Sequence, residues 1–315
     1  MGLPAIAPAA YRRVTLFAVV ALGFIIVTGA AVRLTGSGLG CSDWPTCEQG
    51  RLAPSEITDA PAMIEFVNRL ITGVVSVAVA VAVAGAWRRQ PRRADLVWLA
   101  VGLVAGVVGQ IVLGGLVVLF ELSPRLVMGH FLVSMVILWN AVVLHHRAGR
   151  PDGPVTPRVE PSLLALARLV FAAGALVVFT GTIVTASGPH AGDSQAARLD
   201  FFLPDVARLH GASVVVLAAL ALALAWGLRR THAPPAVQRS ARVLLVVLAA
   251  QAAVGYTQYF TGVPALLVGV HVLGAVVVWT AVVSLNLAVS APVVTPPVGP
   301  PPPAPSADAT VLAAS

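Results

Sequence analysis

Two segments of the chain share one pattern, and this pattern decides the architecture. Residues 110–130 read QIVLGGLVVLFELSPRLVMGH, and residues 251–271 read QAAVGYTQYFTGVPALLVGVH. Four residue types recur at identical spacing, which indicates an internal repeat. The shared positions are Gln110 and Gln251, Gly114 and Gly255, Leu126 and Leu267, and His130 and His271.

The repeat extends upstream of these segments. Thr28-Gly29 is followed by Val32, and Thr180-Gly181 is followed in the same step by Val184. An offset of 142 residues, close to the 141 between residues 110–130 and 251–271, places Asn68 opposite His210. The order of all these matches predicts two related halves.

The composition indicates a membrane protein. Hydrophobic residues make up 58% of the chain and charged residues 10%, whereas a soluble domain carries about a quarter charged residues. The apolar runs are long enough to cross a bilayer and lack the alternation of barrel strands. They predict helices at 14–33, 67–87, 96–119, 126–145, 163–185, 206–227, 241–260 and 266–288. We expect the first run to be a retained helix and not a cleaved signal peptide.

These patterns predict an all-α membrane protein with eight transmembrane helices in two four-helix bundles. Four is an even number, so both halves enter the membrane in the same orientation. A pseudo-two-fold axis along the membrane normal would then relate them. The predicted units are an N-terminal half (1–145), a cytoplasmic linker (146–162), a C-terminal half (163–290) and a disordered Pro/Ala-rich tail (291–315).

The positive charge follows this topology. All twenty basic residues are arginines, and most fall on the side of the membrane that holds the N-terminus when the helices alternate. Such a bias predicts cytoplasmic N- and C-termini in a multi-pass protein of a bacterial cell membrane. It explains the net charge of +7 without a nucleic-acid partner, and membrane lipid is the expected surrounding.

Cys41 and Cys47 both lie in the first outer loop, residues 34–66. A pair this close on the oxidising side of a membrane is a candidate disulfide. Two free thiols are the alternative. A short closed loop gains little stability from chain entropy, which leaves a local or redox role open.

Three of the seven histidines lie in apolar sequence near the outer ends of predicted helices: His130, His210 and His271. A titratable ring at membrane depth is costly and usually faces the bundle interior. His210 and His271 could supply both axial ligands of one haem held between facing helices. The alternative is interhelical hydrogen bonding without a metal. The remaining four are His145, His146 and His232, interpreted as surface residues, and His190, whose role is open.

The first half differs from the second at this site. It offers His130 but has Asn68 in place of a second histidine, and an amide is a poor iron ligand. Glu65 lies on the same helical face as Asn68, where the second half has Ala207. Glu65 could act chemically or simply pair with Arg69 at i+4. Arg69 and Arg208 are candidates for haem-propionate contacts or for ordinary interfacial anchors.

Several motifs together resemble the haem A synthase family, in particular its actinobacterial branch. The most specific is residues 35–47, TGSGLGCSDWPTC, after Gly29 and Arg33. Next come Glu65-x-x-Asn68-Arg69 and the placements of His130, His210 and His271. The resemblance covers residues 14 to about 288.

The resemblance implies an enzyme of cytochrome oxidase assembly that oxidises the C8 methyl group of haem O to the formyl group of haem A. It implies a haem B cofactor on His210 and His271, and a substrate haem at Asn68 and His130. It further implies a catalytic role for Glu65 and a disulfide between Cys41 and Cys47. Many members have histidine at the position of Asn68, so this chain departs from the family there and fits a five-coordinate substrate haem.

The expected partners are haem O, the haem O synthase and cytochrome oxidase assembly factors, and a homo-oligomer is left open. The main alternative function is a membrane di-haem electron-transfer cytochrome linked to quinol. A transporter is a further alternative, which the clustering of polar residues near one membrane face disfavours.

Overall fold

The structure is a computed structural model that describes residues 5–48 and 50–293. Within these residues it contains eight α-helices that are long and apolar enough to cross a membrane, which confirms the predicted number. They are α1 (Pro8–Leu34), α2 (Ala60–Arg88), α3 (Ala94–Leu119), α4 (Pro124–Ala148), α5 (Pro161–Ser187), α6 (Leu203–Arg230), α7 (Pro235–Phe260) and α8 (Ala265–Ala288).

Several helices begin earlier than their apolar runs. Helix α1 begins at Pro8 and α2 at Ala60, where the side chain of Asp59 accepts a hydrogen bond from the backbone N–H of Ala62 at 3.2 Å. Proline in a first helical turn needs no hydrogen-bond partner for its nitrogen. These starting turns are therefore set by capping and proline, which a hydropathy pattern does not detect.

Each half is a ring of four helices, as predicted. In the first half α1 contacts α2 and α4, and α3 contacts the same two helices. In the second half α5 through α8 repeat these contacts. The halves meet where α4 packs on α8, flanked by contacts of α1 with α8 and of α4 with α5. Exchanging the halves maps this set of contacts onto itself, as a two-fold relation requires.

A tryptophan joins the halves inside the membrane. The indole N–H of Trp279 on α8 donates to the backbone carbonyl of Met135 on α4 at 2.9 Å. Its ring also stacks near Phe171 of α5, with ring centroids 5.3 Å apart. Trp279 is 6% exposed, so this buried donor is satisfied across the interface, where it fixes the register of the halves.

Two short strands, which the sequence did not indicate, lie on the side that carries most arginines. Strand β1 (Val155–Pro157) in the linker pairs antiparallel with β2 (Ser290–Pro292) after α8. Arg150 adds a hydrogen bond to the carbonyl of Ser290 at 3.2 Å. The tail predicted to be disordered thus begins with paired residues, and its remainder, 294–315, lies outside the described residues.

On the opposite side, outer loops of the two halves contact each other. The backbone N–H of Gly38 donates to the carbonyl of Gly192 at 2.9 Å. Arg33 at the end of α1 donates to the carbonyl of Thr185 on α5 at 2.6 Å. The segment around Ala191 and Ala196 packs on Leu122, at the turn between α3 and α4. The second half therefore covers part of the outer end of the first.

Candidate functional site

The second half brings His210 and His271 together. Helix α6 carries His210 and α8 carries His271, and both rings are partly buried near the outer ends of their helices. Their ring centroids are 6.4 Å apart, with an angle of 74° between the ring planes. The two residues predicted to share one haem thus lie on facing helices at close range.

Hydroxyl groups orient His210. The hydroxyl of Thr180 on α5 lies 3.1 Å from the Nδ1 atom of His210 and 3.0 Å from the hydroxyl of Ser213. The Ser213 hydroxyl in turn donates to the carbonyl of His210 at 2.7 Å. With Nδ1 engaged, the Nε2 atom is the ring nitrogen left for a ligand.

The repeated glutamine and glycine also support histidines. Gln251 on α7 donates to the carbonyl of His271 at 2.8 Å, and Gln110 on α3 donates to the carbonyl of His130 at 2.8 Å. One turn along, a Cβ on Gly255 would lie 3.1 Å from Cε1 of His271. A Cβ on Gly114 would lie 3.3 Å from Cε1 of His130. In each half, the repeated glutamine and glycine therefore position a histidine ring against the neighbouring helix.

The first half has a histidine on its fourth helix, His130, but none at the matching position of its second helix. Asn68 of α2 is half-buried, and its Oδ1 atom has no hydrogen-bond partner among the described residues. A Cβ on Gly29 would have no described atom within 4 Å, whereas a Cβ on the matching Gly181 would lie 3.2 Å from His210. Thr28 bonds only the carbonyl of Ile25 among the contacts that the structure describes, at 3.2 Å. Space that a histidine fills in the second half stays open here.

Glu65 lies beside this open position but engages the outer loop. It is 5% exposed, and its Oε2 atom accepts a hydrogen bond from the backbone N–H of Cys41 at 2.8 Å. Its Oε1 atom pairs with the guanidinium of Arg69 at 2.6 Å. The i+4 pairing considered from the sequence is present, and it is joined to the cysteine loop.

Arg69 extends this connection. Its guanidinium donates to the carbonyls of Asp43 and Thr46 at 3.1 and 2.8 Å, in addition to Glu65. With a second bond to Asp43 and one from Nε to Glu65, five hydrogen bonds occupy the five N–H groups of the guanidinium. A propionate contact would therefore require Arg69 to release one of them. Arg208 in the second half is exposed and pairs with Asp205 at 2.9 Å.

The cysteine loop covers the outer end of the first half. Cys41 and Cys47 are paired and buried, with Cα atoms 4.4 Å apart. Between them, the ring of Trp44 lies against Gly115 of α3, where a Cβ would come within 2.6 Å of the indole. Gly115 adjoins Gly114, whose Cβ position faces His130, so the loop packs on α3 one residue away from the position that faces the histidine.

The remaining histidines lie apart from these sites. His190 of the α5–α6 loop bonds the carbonyl of Val263 through Nε2 at 2.8 Å, which joins two outer loops of the second half. Nδ1 of His145 lies 3.1 Å from the hydroxyl of Thr15 on α1. His145 and His146 are both half-buried because α1 and α8 pack beside this end of α4, so their interpretation as surface residues is wrong, whereas His232 is exposed as expected.

Sequence reasoning missed three contributors to the site. The Thr-Gly repeat marks Thr180 but does not identify it as the partner of His210, and no sequence pattern singles out Ser213. Trp44 was seen as part of a family motif without a role. The pairing of Thr-Gly in both halves was the available signal for Thr180, whereas the positions of Ser213 and Trp44 depend on tertiary packing.

Comparison with known proteins identifies a family match. Residues 12–192 match the family described as cytochrome oxidase assembly protein, COX15-CtaA. The matched region includes all four helices of the first half, the cysteine loop and α5.

Individual relatives are named haem A synthase. The protein of Listeria welshimeri is 26% identical over 78% of this chain and 84% of its own length. That of Halalkalibacterium halodurans is 28% identical over 79% of this chain and 85% of its own. The match to the protein of Lysinibacillus sphaericus is 36% identical but spans 40% of this chain and 41% of that protein.

Proposed function

The chain belongs to the cytochrome oxidase assembly protein family, and we propose that within it this protein is a haem A synthase. It is a multi-pass membrane protein. We assign it the oxidation of the C8 methyl group of haem O to a formyl group. The relatives named haem A synthase support the assignment along most of the chain.

The observation that carries the proposal is the distance between two imidazole rings. Two imidazoles that bind one metal ion from opposite sides at about 2 Å each have ring centres about 6 Å apart. The rings of His210 and His271 are 6.4 Å apart. Haem B held there would supply a one-electron redox centre. The hydroxyl of Thr180 and the glycines beside both rings fit this use, because they fix ring orientation and leave the rings room.

The first half supports a substrate position for haem O. His130 offers one imidazole, and Asn68 opposite it leaves the second side of the position open. The Nδ1 atom of His130 and the Oδ1 atom of Asn68 are both buried and unpaired among the described residues. Unpaired buried polar atoms are costly and gather where a ligand binds. A substrate must leave after each turnover, which suits one strong ligand better than two.

We assign Glu65 the handling of protons. With water as the source of the oxygen atom, conversion of a methyl to a formyl group passes four electrons in total to an external electron acceptor and releases four protons near the reacting carbon. A carboxylate at the outer end of the bundle can accept them and pass them to the loop side. Its bonds to Arg69 and to the N–H of Cys41 also hold the loop at the outer end of the first half.

The proposal includes the setting of the enzyme. We place it in the bacterial cell membrane with both termini cytoplasmic, in keeping with the arginine bias, and with Cys41 and Cys47 forming a disulfide on the outer side. The haem O synthase and assembly factors of cytochrome oxidase are the expected partners. Arg69 and Arg208 remain candidates for propionate contacts.

The test is the haem content of cells that express the full chain with a haem O source. Acid-acetone extraction and chromatography should show haem A with the wild-type chain and at least about a hundredfold less with Glu65→Gln. The glutamine keeps an acceptor for the Cys41 N–H, so the loop contact survives. Asp205→Asn, which alters an exposed carboxylate of the second half, serves as the matched control and should leave haem A unchanged.

Haem B should remain bound in the Glu65→Gln variant. Full haem A production by this variant would remove Glu65 from the mechanism. A wild-type protein that binds haem B but makes no haem A would instead favour the electron-transfer cytochrome.

A further inference from the structure

A second polar site lies at the other end of the molecule, between the two halves. A cavity of about 190 Å³ opens there on the side that carries most arginines. Its walls come from α1, α4, the linker and α8. Since one water molecule takes up about 30 Å³ of liquid, the cavity has room for a tetrahedral anion. Its polar side chains are those of Arg12, His145, His146, Arg150 and Ser284.

The side chains around this cavity are hydrogen-bond donors or cations, and no carboxylate is among its lining residues in the described part of the chain. Arg12 is exposed, and its guanidinium has no ion pair or hydrogen bond among those that residues 5–48 and 50–293 show. It lies over Gly149, where a Cβ would come within 2.9 Å of its Nε atom. A side chain at position 149 would displace Arg12 from its position over the end of α4.

Arg150 faces the cavity from the linker. One of its nitrogens donates to the carbonyl of Ser290 at 3.2 Å, which holds the side chain in position and leaves its other N–H groups available. Burial, together with the nearby charge of Arg158, lowers the pKa of Arg150 below its usual value. A bound anion would offset both effects.

Two other arginines on the same side, Arg93 and Arg147, are neutralised. Arg93 pairs with Asp95 at 2.7 Å and with Asp152 at 3.7 Å. Arg147 pairs with Asp95 at 3.5 Å. Several further arginines of this side, among them Arg13 and Arg158, also have no ion pair among the described residues. Arg12 and Arg150 differ from them because they line one cavity together with Ser284.

We propose that this cavity binds a phosphate group, contributed by the headgroup of an anionic phospholipid. Two guanidinium groups and a serine hydroxyl around one concave site are the donors that phosphate binds. Basic pockets between transmembrane helices on the cytoplasmic side are typical sites for such headgroups. The cavity lies where the two halves meet, so the bound phosphate contacts Arg12 of the first half, Arg150 of the linker and the hydroxyl of Ser284 in the second half. Free inorganic phosphate offers the same chemistry without the acyl chains.

The experiment titrates the purified full-length protein, in a non-ionic detergent, with short-chain phosphatidylglycerol by calorimetry. Parallel titrations use inorganic phosphate and a short-chain diacylglycerol that lacks phosphate. Loss of charge-assisted hydrogen bonds should weaken phosphatidylglycerol binding about tenfold or more in Arg12→Gln/Arg150→Gln. Arg13→Gln/Arg229→Gln, which removes two exposed arginines outside the cavity, is the matched control and should bind like the wild type.

Arg12→Gln alone keeps the test valid if the double variant fails to fold, because this side chain is exposed and supports no described contact. It should weaken binding measurably. Saturable binding of phosphatidylglycerol that inorganic phosphate displaces only at much higher concentration supports the lipid source. Equally tight binding of inorganic phosphate supports the free anion. Equal binding of diacylglycerol, or unchanged binding in both cavity variants, overturns the site.

Discussion

In both halves a glutamine on the third helix donates to the carbonyl of a histidine on the fourth, and a glycine makes room for the ring. The second helices differ: α6 presents His210, held by Thr180, whereas α2 presents Asn68 beside an open space at Gly29. Near Asn68 the first half adds Glu65 and the cysteine loop, and the second half has Ala207 at the matching position. One scaffold thus carries two different sites.

The difference shows where function resides in a duplicated bundle. The shared contacts involve backbone carbonyls and glycines, which set helix spacing and suit many ligands. The distinguishing contacts involve a few side chains at the outer end of one helix and one loop. A change at those positions should therefore alter one half without disturbing the other.

The largest effect is expected from His271→Ala. It removes one of two imidazoles at the cofactor position, so bound haem B should fall to below about a tenth of the wild-type level. Pyridine haemochrome analysis of the purified protein and its low-spin electron paramagnetic resonance signal measure this loss. His130→Ala is the matched change in the first half and should retain haem B. An unchanged low-spin signal in His271→Ala would overturn the cofactor assignment.

Asn68→His should make the first half resemble the second. The open space beside Gly29 can take the ring as Gly181 takes that of His210. After loading with haem O, the variant should show about twice the low-spin signal of the loaded wild type, because both haems then have two imidazole ligands. Without haem O, the variant and the wild type should give the same low-spin signal. Identical spectra of loaded variant and loaded wild type would contradict an open position at Asn68.

A smaller effect is expected from Thr180→Val, which keeps the shape of the side chain and removes the hydroxyl beside Nδ1 of His210. Loss of such an orienting partner should weaken haem retention about tenfold. The rate of haem transfer to an excess of apomyoglobin measures it. Thr28→Val changes the repeated threonine of the first half and should leave the rate unchanged. Equal rates in Thr180→Val and wild type would show that the hydroxyl does not orient the ligand.

Much of the fold could be predicted because it depends on long-period patterns. Apolar runs gave the eight helices, and the spacing from Gln110 to His130 and from Gln251 to His271 gave the two halves. The placement of His210 and His271 near the outer ends of two apolar helices indicated that they could share one ligand if those helices face each other. The repeated glutamine and glycine make the same contacts with a histidine in both halves, so their spacing in the sequence predicts their arrangement in the structure.

Features that depend on a single tertiary contact could not be predicted from the sequence. The strand pair between Val155–Pro157 and Ser290–Pro292 joins segments distant in sequence, and neither has a strand-like pattern of its own. The i+4 spacing indicated that Glu65 and Arg69 could pair, but not that both would hold the cysteine loop. Ser213 and Trp44 find their partners only through the approach of neighbouring elements.

The contacts between the halves also have a mechanical consequence. Gly38 and Gly192 bridge the outer loops, Trp279 and Met135 bridge the middle, and Arg150 and Ser290 bridge the opposite side. Contacts at three depths oppose rotation of the halves about an axis in the membrane plane, which is the rocking that alternating access requires. The two halves are therefore held in one arrangement. Transfer of electrons and protons, unlike transport, does not require the helices to move relative to one another.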